Sequence, residues 1–481
     1  MREFFSWAAE YNQSRMSPTT TPPHDALKES PIEAASASRS LARFALDLSF
    51  EDIPPKVLER AKACIIDTIG DAHYGVSLPW SRIMLDYAQR TSAPGDAVVI
   101  GTALRLQPAF AAMVNGASAH AFELDSMCQP SVGAHPGASL TAPGLALAQT
   151  ARRSGKELIT AWVAACEVMY RIGAAAHHSS EQIGFHAPGL LGVFGGAVVA
   201  GRLMGLDVGR LTNALGISGS LCSGLLEFSK SGGGMVKRLH QGRASEGAVM
   251  AATLARDGFT GPAQILEGKY GFLNTFGRDP DLSRLTAELG REWHTLTTVL
   301  KAYACHSTAQ VAVTAALELK SEHGVRGDEI ESIRVEGSDK LVSHHAIHEP
   351  QDLAMAQYSA PFSVALAFYR DPRDPNVFCD AAVSDAAIRA LCRKTTLEPY
   401  PDAPKNNKLA SRVTVRLKDG RELTRALDYF PGMPQRPLST PELWEKFHRL
   451  TAAVPTDRTR VLFDRLLALE SVPDVAELEM I

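Results

Sequence analysis

The chain has 481 residues, 45% hydrophobic and 21% charged, with a formal net charge of -4. That length points to about two to four domains, and the composition is that of an ordinary globular protein. A weakly acidic chain has no electrostatic attraction for nucleic acid or an anionic membrane, so neither is expected as a partner. The seven cysteines are scattered and form no C-x-x-C pair. They fit reduced thiols in the cytoplasm better than a disulfide framework, a zinc ribbon or an iron–sulfur site.

In chain order, residues 1–37 are rich in Ser, Thr, Pro and Ala and read as a disordered tail. The tail has no apolar signal-peptide core, and Glu3 and Glu10 break the acid-poor pattern of a mitochondrial leader. From 38 to about 275 the pattern is helical. Val57, Ala61, Cys64, Ile65 and Ile69 recur at helical spacing. Segments 108–120, 158–176, 190–204 and 247–255 are small and apolar almost throughout, as in helices packed on all sides. The most membrane-like stretch, 190–206, contains Arg202 and falls short of the ~20 apolar residues a span needs.

After about residue 300 the character changes. Segment 330–335 alternates like a strand, and 413–427 reads as two strands joined through Asp419-Gly420, a hairpin signal. Helices are expected at 305–323 and 357–370. The chain then returns to helix, with Thr440 as expected N-cap before Pro441 and an amphipathic segment at 458–469. Neither a G-x-G-x-x-G nor a P-loop motif occurs, which excludes the common nucleotide-binding folds.

The chemistry-bearing residues fall into four segments. Gly232, Gly233 and Gly234 lead into Lys237, Arg238, His240 and Arg243, with a helix expected from Ala244. A glycine approach to a helix start exposes backbone N–H groups, and Lys and Arg grip carboxylates. A second segment holds His120, Glu123 and Asp125, followed by His135 before Pro136; were the helix to continue, His120 and Glu123 would share a face. The third carries His186 in a loop, and the fourth Lys301 and His306. Histidine moves protons at neutral pH, and fixed cations stabilise charge developing beside a carboxylate. His120, Glu123, Asp125 and His135 form an N/O donor set, but H-x-x-E-x-D is not a zinc spacing, so no metal is expected.

The segments NGASAHAFELD, AHPGA, GFHAPGLLGVFGGAVVAGRLMGLD, GGGMVKRLHQGRASEGAVMAA with the following LARDGFTGP, and LKAYACH occur in this order. Together they resemble the MmgE/PrpD family, which includes 2-methylcitrate dehydratases, cis-aconitate decarboxylases and an iminodisuccinate epimerase. The resemblance covers about residues 38–475. It implies a mainly α protein: a large all-α domain built from both chain ends (38–299 plus 431–481) and an inserted, smaller α+β lid domain (300–430). It further implies a homodimer and an active site between the domains, with no cofactor.

Carried onto this chain, the resemblance makes His135 and His186 acid/base candidates and places Glu123 beside them. Asp125 is a second acid/base candidate or an orienter of histidine. Lys237 and Lys301 would hold substrate carboxylates, supported by Arg238 and His240. Phe362 stands near where dehydratase-like relatives often carry a tyrosine; Tyr358, four residues earlier, is a substrate-binding candidate whether or not it replaces that tyrosine. Ser126 stands where many relatives have a second acid. The implied chemistry is proton transfer beside a carboxylate of a small polycarboxylate, in a decarboxylase-like or dehydratase-like lyase. An epimerase of a dicarboxylate such as iminodisuccinate and an inactive organic-acid-binding protein are the alternatives.

Overall fold

A computed structural model describes residues 36–230 and 233–480. The expected tail therefore lies outside the described residues, except for Ser36 and Ala37, which already cap and open the first helix. That helix, α1 (Ala37–Asp47), opens on Ser36, whose hydroxyl accepts from the Arg39 N–H.

Eight further helices build the first layer: α2 (Pro55–Gly75), α3 (Pro79–Thr91), α4 (Pro108–Ala119), α5 (Ala142–Thr150), α6 (Gly155–Ala175), α7 (Ala187–Leu203), α8 (Val208–Leu221) and α9 (Val236–Arg256). Several start on proline, whose missing N–H is no loss in a first turn. The centre is α7, apolar on every side and surrounded by α6, α8 and α9. Its glycines allow that approach: a Cβ on Gly196 would lie 2.5 Å from Ala248 Cβ. α6 is long and apolar enough to cross a membrane but is fully buried in the fold, so it reads as a core helix.

The expected helix start at Ala244 is corrected by α9, which begins eight residues earlier. Gly242 looks like a loop residue in sequence. In the structure it lies in the helix interior because α4 passes against it, with Met113 O 2.8 Å from where a Cβ would be. Lys237, Arg238 and His240 therefore stand in the first turns of a helix.

The second layer is a four-stranded sheet with helices against it. β1 (Ile330–Gly337) is central, parallel to β2 (Thr395–Pro399) and antiparallel to β3 (Ser411–Leu417), which pairs with β4 (Glu422–Leu427). The β3–β4 hairpin turns at Gly420, whose φ of +91° suits glycine. Helices α10 (Gln310–His323), α11 (Ala360–Tyr369) and α12 (Ala386–Arg393) pack on the sheet. The expected helix from 357 is interrupted at Ser359, which caps α11 through the Phe362 N–H. β2 had no signal in the sequence pattern.

Helices α13 (Thr440–Leu450) and α14 (Thr456–Leu467) return to the first layer, where Leu443, Phe447 and Phe463 join the same apolar cluster as Ile65 and Trp162. The N-cap is Ser439, not Thr440: its hydroxyl accepts from Glu442 N–H while the Glu442 carboxylate accepts in return. Near the C-terminus the chain docks on the start of α6, where the Gly155 N–H donates to Val472 O at 2.8 Å. A Cβ on Gly155 would stand 1.7 Å from the Leu469 carbonyl oxygen. Gly155→Ala is expected to destabilise the protein by about 1–3 kcal/mol, the usual range for overpacking, read as a lowered urea midpoint at unchanged slope.

Candidate active site

The site begins where α4 stops. His120 closes the helix, and Glu123 takes a left-handed φ of +60°. The helix does not continue, so His120 and Glu123 do not share a helical face, and the turn sends their side chains to different partners. Asp125, 1% exposed, is the hub. Its Oδ2 lies 2.8 Å from His120 Nδ1 and 2.7 Å from His135 Nδ1. A carboxylate accepts only, so both imidazoles present Nδ1–H to it and leave Nε2 free. Burial would raise the Asp125 carboxyl, but His120, Lys301 and His135 outweigh it and hold it well below the usual carboxylate range. Burial pushes His120 down to about 3 despite Asp125.

These three residues offer ligand atoms within 4.8 Å of one another, a donor set that could also be drawn around a metal ion. The 2.7 and 2.8 Å contacts are those of charge-assisted hydrogen bonds, and we read the cluster as an imidazole–carboxylate–imidazole chain.

Glu123 organises the cations. Its Oε1 accepts a tight contact from Lys237, and Lys301 Nζ lies 3.4 Å from Oε2 and 3.5 Å from Asp125 Oδ1. Lys237 also donates to Tyr358 Oη at 3.1 Å. Burial, with Lys301 and Arg238 nearby, pulls the Lys237 ammonium well below its usual range; the Glu123 carboxylate is its ion-pair partner. Two lysines thus face two carboxylates at the inner end of a cavity of about 1330 Å³. That volume exceeds the roughly 300–1,000 Å³ of sites for drug-sized ligands, so a small acid would occupy only part of it.

Glu123, His135, His186, Lys237, Lys301 and Tyr358 all line the cavity. Asp125 stands behind the wall, placed to orient His120 and His135. Arg238 is a correction: its guanidinium donates to Ala121 O at 3.1 Å and Gly234 O at 2.6 Å and covers Trp80, so it clamps backbone and does not reach the cavity. His240 is a second correction, set behind His186 outside the cavity lining. Arg243 points outward to Glu246. Gly232 lies outside the described residues.

Other groups at the cavity have no role assigned from the sequence. His306 lines the cavity and stacks on His345 at 4.1 Å between centroids; His345 Nδ1 faces Tyr358 O at 2.9 Å. Burial lowers both rings, His345 to about 4. His306 was visible in the YACH segment without a role, and His345 carried no signal. Behind the wall, Lys446 from α13 lies 2.5 Å from Asp67 Oδ1 and 3.8 Å from Asp71 Oδ1, and donates to Leu124 O at 3.3 Å. It ties the returning C-terminal segment to the turn between Glu123 and Asp125. Two acids four residues apart in an apolar helix were the readable sign.

Ser126 explains a departure from the family pattern. Its Oγ accepts from Gly137 N–H at 3.0 Å and lies 3.1 Å from Cys64 Sγ, in a fully buried position. It fixes the segment after His135 and leaves no space for a carboxylate. Phe362 is buried in the core of the second layer, whereas Tyr358 is one of the aromatics that line the cavity.

Residues 39–285 match the MmgE/PrpD N-terminal domain and residues 303–468 the MmgE/PrpD C-terminal domain. The chain belongs to the MmgE/PrpD family. It is 30% identical over 467 residues to a cis-aconitate decarboxylase of Aspergillus terreus, covering 91% of this chain and 94% of that protein. It is 27% identical over 464 residues to a cis-aconitate decarboxylase-like protein of Aspergillus oryzae, covering 91% and 95%. It is 28% identical over 434 residues to the cis-aconitate decarboxylase of Homo sapiens, covering 86% and 87%. These likenesses support a lyase of this family.

If Lys237 holds a substrate carboxylate, Lys237→Ala raises KM by about 10–150-fold, the equivalent of one charged hydrogen bond of about 1.5–3 kcal/mol. Its ammonium is lost as pH rises through a depressed pKa, so kcat/KM falls on the alkaline side earlier than for an ordinary lysine. Lys237→Arg should move that limb upward; an unmoved limb in steady-state profiles assigns it to another group.

Proposed function

We propose that this protein is a cofactor-independent lyase that decarboxylates cis-aconitate or a close unsaturated tricarboxylate. The observation that carries this reading is the meeting, in one cavity, of two buried lysines with imidazoles held by a single carboxylate. The names of the fungal and human relatives give the same direction.

In this reading Lys237 and Lys301 hold two carboxylates, and Tyr358 adds a hydroxyl beside Lys237. The third carboxylate leaves as carbon dioxide. Its bonding electrons pass into the unsaturated carbon skeleton, where the other carboxylates and the lysines stabilise the charge. A wall histidine then gives a proton to carbon, leaving an unsaturated C5 dicarboxylate. His135 is the foremost donor: Asp125 holds its Nδ1, so its Nε2 is the atom free for exchange, and the same carboxylate stabilises its imidazolium.

The test is carbon and proton NMR of purified enzyme with cis-aconitate in D₂O. An unsaturated C5 product carrying one carbon-bound deuterium, with carbon dioxide released, is expected. Water loss from 2-methylcitrate with no reaction of cis-aconitate would make the enzyme a dehydratase. A specific observation supports a further alternative: His135 comes from the helical layer and His306 from the lid. Deuterium entering a dicarboxylate such as iminodisuccinate without loss of atoms would indicate an epimerase using both. His135→Ala should lower kcat by about 10²–10⁴, the range for losing a general acid, with the fold intact by circular dichroism. Activity is expected to survive a chelator; loss on chelation, restored by one metal, would instead put an ion at His120, Asp125 and His135.

The reading includes a homodimer. The outer face of α9 exposes Val236, Leu239, Met250 and Leu254 along one stripe, apolar surface suited to a second copy. Light scattering should give twice the chain mass.

A further inference from the structure

His135 and His306 both line the cavity, but they are held in opposite tautomers. His135 Nδ1 faces the Asp125 carboxylate at 2.7 Å, so it carries N–H there, and its neutral ring offers a lone pair at Nε2. His306 Nδ1 faces donors instead. The Thr308 backbone N–H points at it from 3.4 Å, and the Thr308 hydroxyl lies 3.0 Å away. A backbone N–H can only donate, so His306 Nδ1 presents a lone pair and the ring proton sits on Nε2. The same contact caps the short turn Ser307–Ala309, and the His306 backbone N–H donates to Gln357 O at 2.9 Å, which fixes where the ring starts.

The surroundings keep that ring neutral. It stacks on His345, with 4.1 Å between centroids and 27° between planes, and His345 Nδ1–H donates to Tyr358 O at 2.9 Å. Burial first, then His345 and the cations Lys340, Lys301 and Lys237, hold His306 well below its usual value. Among the described residues no carboxylate pairs with it. Tyr358 stands beside it, ring centroids 5.2 Å apart. The Tyr358 oxygen accepts from Lys237 at 3.1 Å, and burial pushes its phenol up to about 12, so its own proton remains to be donated. Two neutral donors, His306 Nε2–H and Tyr358 O–H, therefore adjoin the Lys237 ammonium.

We propose that His306 is a catalytic hydrogen-bond donor: its Nε2–H, with the Tyr358 hydroxyl, holds the substrate carboxylate onto which charge moves, and it keeps its proton throughout. This rests on the lyase reading above. The bonding pair of the departing carboxylate becomes the new C=C bond. The pair of the old C=C bond moves to the carbon beside a retained carboxylate and into its oxygens, giving an enediolate-like species. His135, as the imidazolium, then protonates that carbon. A neutral donor bonds a resting carboxylate weakly and the more charged enediolate strongly, so its contribution grows toward the transition state. A neutral imidazole polarises an oxygen in this way without first gaining a proton. His306 and His135 thus divide the work, one stabilising oxygen and the other serving carbon.

The test compares full-length wild type with His306→Gln and His306→Ala. The glutamine amide places an N–H near the Nε2 position; alanine has no donor. His306→Ala should lower kcat by about 10²–10³, the range for one oxyanion donor, and His306→Gln should recover about tenfold of it, with KM little changed in either. The pH profile of His306→Gln should keep the wild-type shape, because His306 does not titrate in it. A limb lost in His306→Gln would make His306 an acid/base group, as the epimerase alternative needs, and overturns the donor. Wild-type kcat in His306→Ala overturns it too.

A second measurement does not depend on turnover. In ¹⁵N-histidine enzyme at neutral pH, His306, assigned by its loss in His306→Gln, should show an unprotonated Nδ1 and a protonated Nε2. Saturation with tricarballylate, which has no double bond and cannot react, should shift the Nε2 signal and leave the tautomer unchanged. An imidazolium, a protonated Nδ1 or an Nε2 signal that the ligand does not move overturns the proposal, whatever the reaction. The expected signals in an enzyme inert to cis-aconitate would instead remove the lyase reading and keep His306 as a donor to a carboxylate.

Discussion

One carboxylate holds the cavity wall together. Asp125 is buried, and a buried anion costs several kcal/mol unless its lone pairs are used. Here one oxygen faces two imidazole Nδ1 atoms and the other a lysine ammonium. Those contacts stabilise the charge and also fix ring orientation and tautomer for His120 and His135. Glu123 provides the matching constraint for the cations, sitting between Lys237 and Lys301. The charges balance before any ligand enters, so an arriving polyanion must draw protons onto the histidines or loosen Glu123 from its lysines. The first response couples binding to proton movement, which is what proton transfer beside a carboxylate requires; the second frees the lysines for the substrate carboxylates.

The architecture supplies this wall from distant parts of the chain. His120 to His135 follow α4, Lys237 begins α9, and Lys301, His306 and Tyr358 come from the segment leading into and forming the lid. Lys446, near the C-terminus, bonds the carbonyl between Glu123 and Asp125 while meeting Asp67 and Asp71 of α2. Burial raises both of those acids, and Lys446 opposes it. The return of the chain end to the first layer is therefore part of how the turn at Glu123, at a positive φ, is held in place.

Much of this was readable in the sequence, for identifiable reasons. Helices such as α2 and α4 announce themselves by periodic apolar residues, and the β3–β4 hairpin by Asp419-Gly420. The histidines and lysines at the cavity stand in segments of unusual composition. What was not readable depends on tertiary approach. Gly242 reads as a break until α4 is seen against it. Arg238 reads as a ligand of substrate, yet the carbonyls of Ala121 and Gly234 take its donors. His240 reads the same way until His186 is found at its Nδ1. His345 and Lys446 are ordinary in sequence and gain meaning only from what folds onto them. The short β2 strand, with no alternation of its own, is defined by pairing with β1.

Asp125 works by accepting from two imidazoles at once, and the kinetics of Asp125→Asn are the measurement that decides it. The amide keeps the shape but loses the charge and turns one acceptor into a donor, so the two Nδ1–H bonds and the Lys301 contact cannot all be kept. Asp125→Asn is expected to lower kcat by about 10²–10⁴, the range expected when a histidine acid/base is disabled, in a protein that still folds and still binds a tricarboxylate. Turnover close to wild type would contradict it, and would mean that the imidazoles are held and charged by something other than this carboxylate.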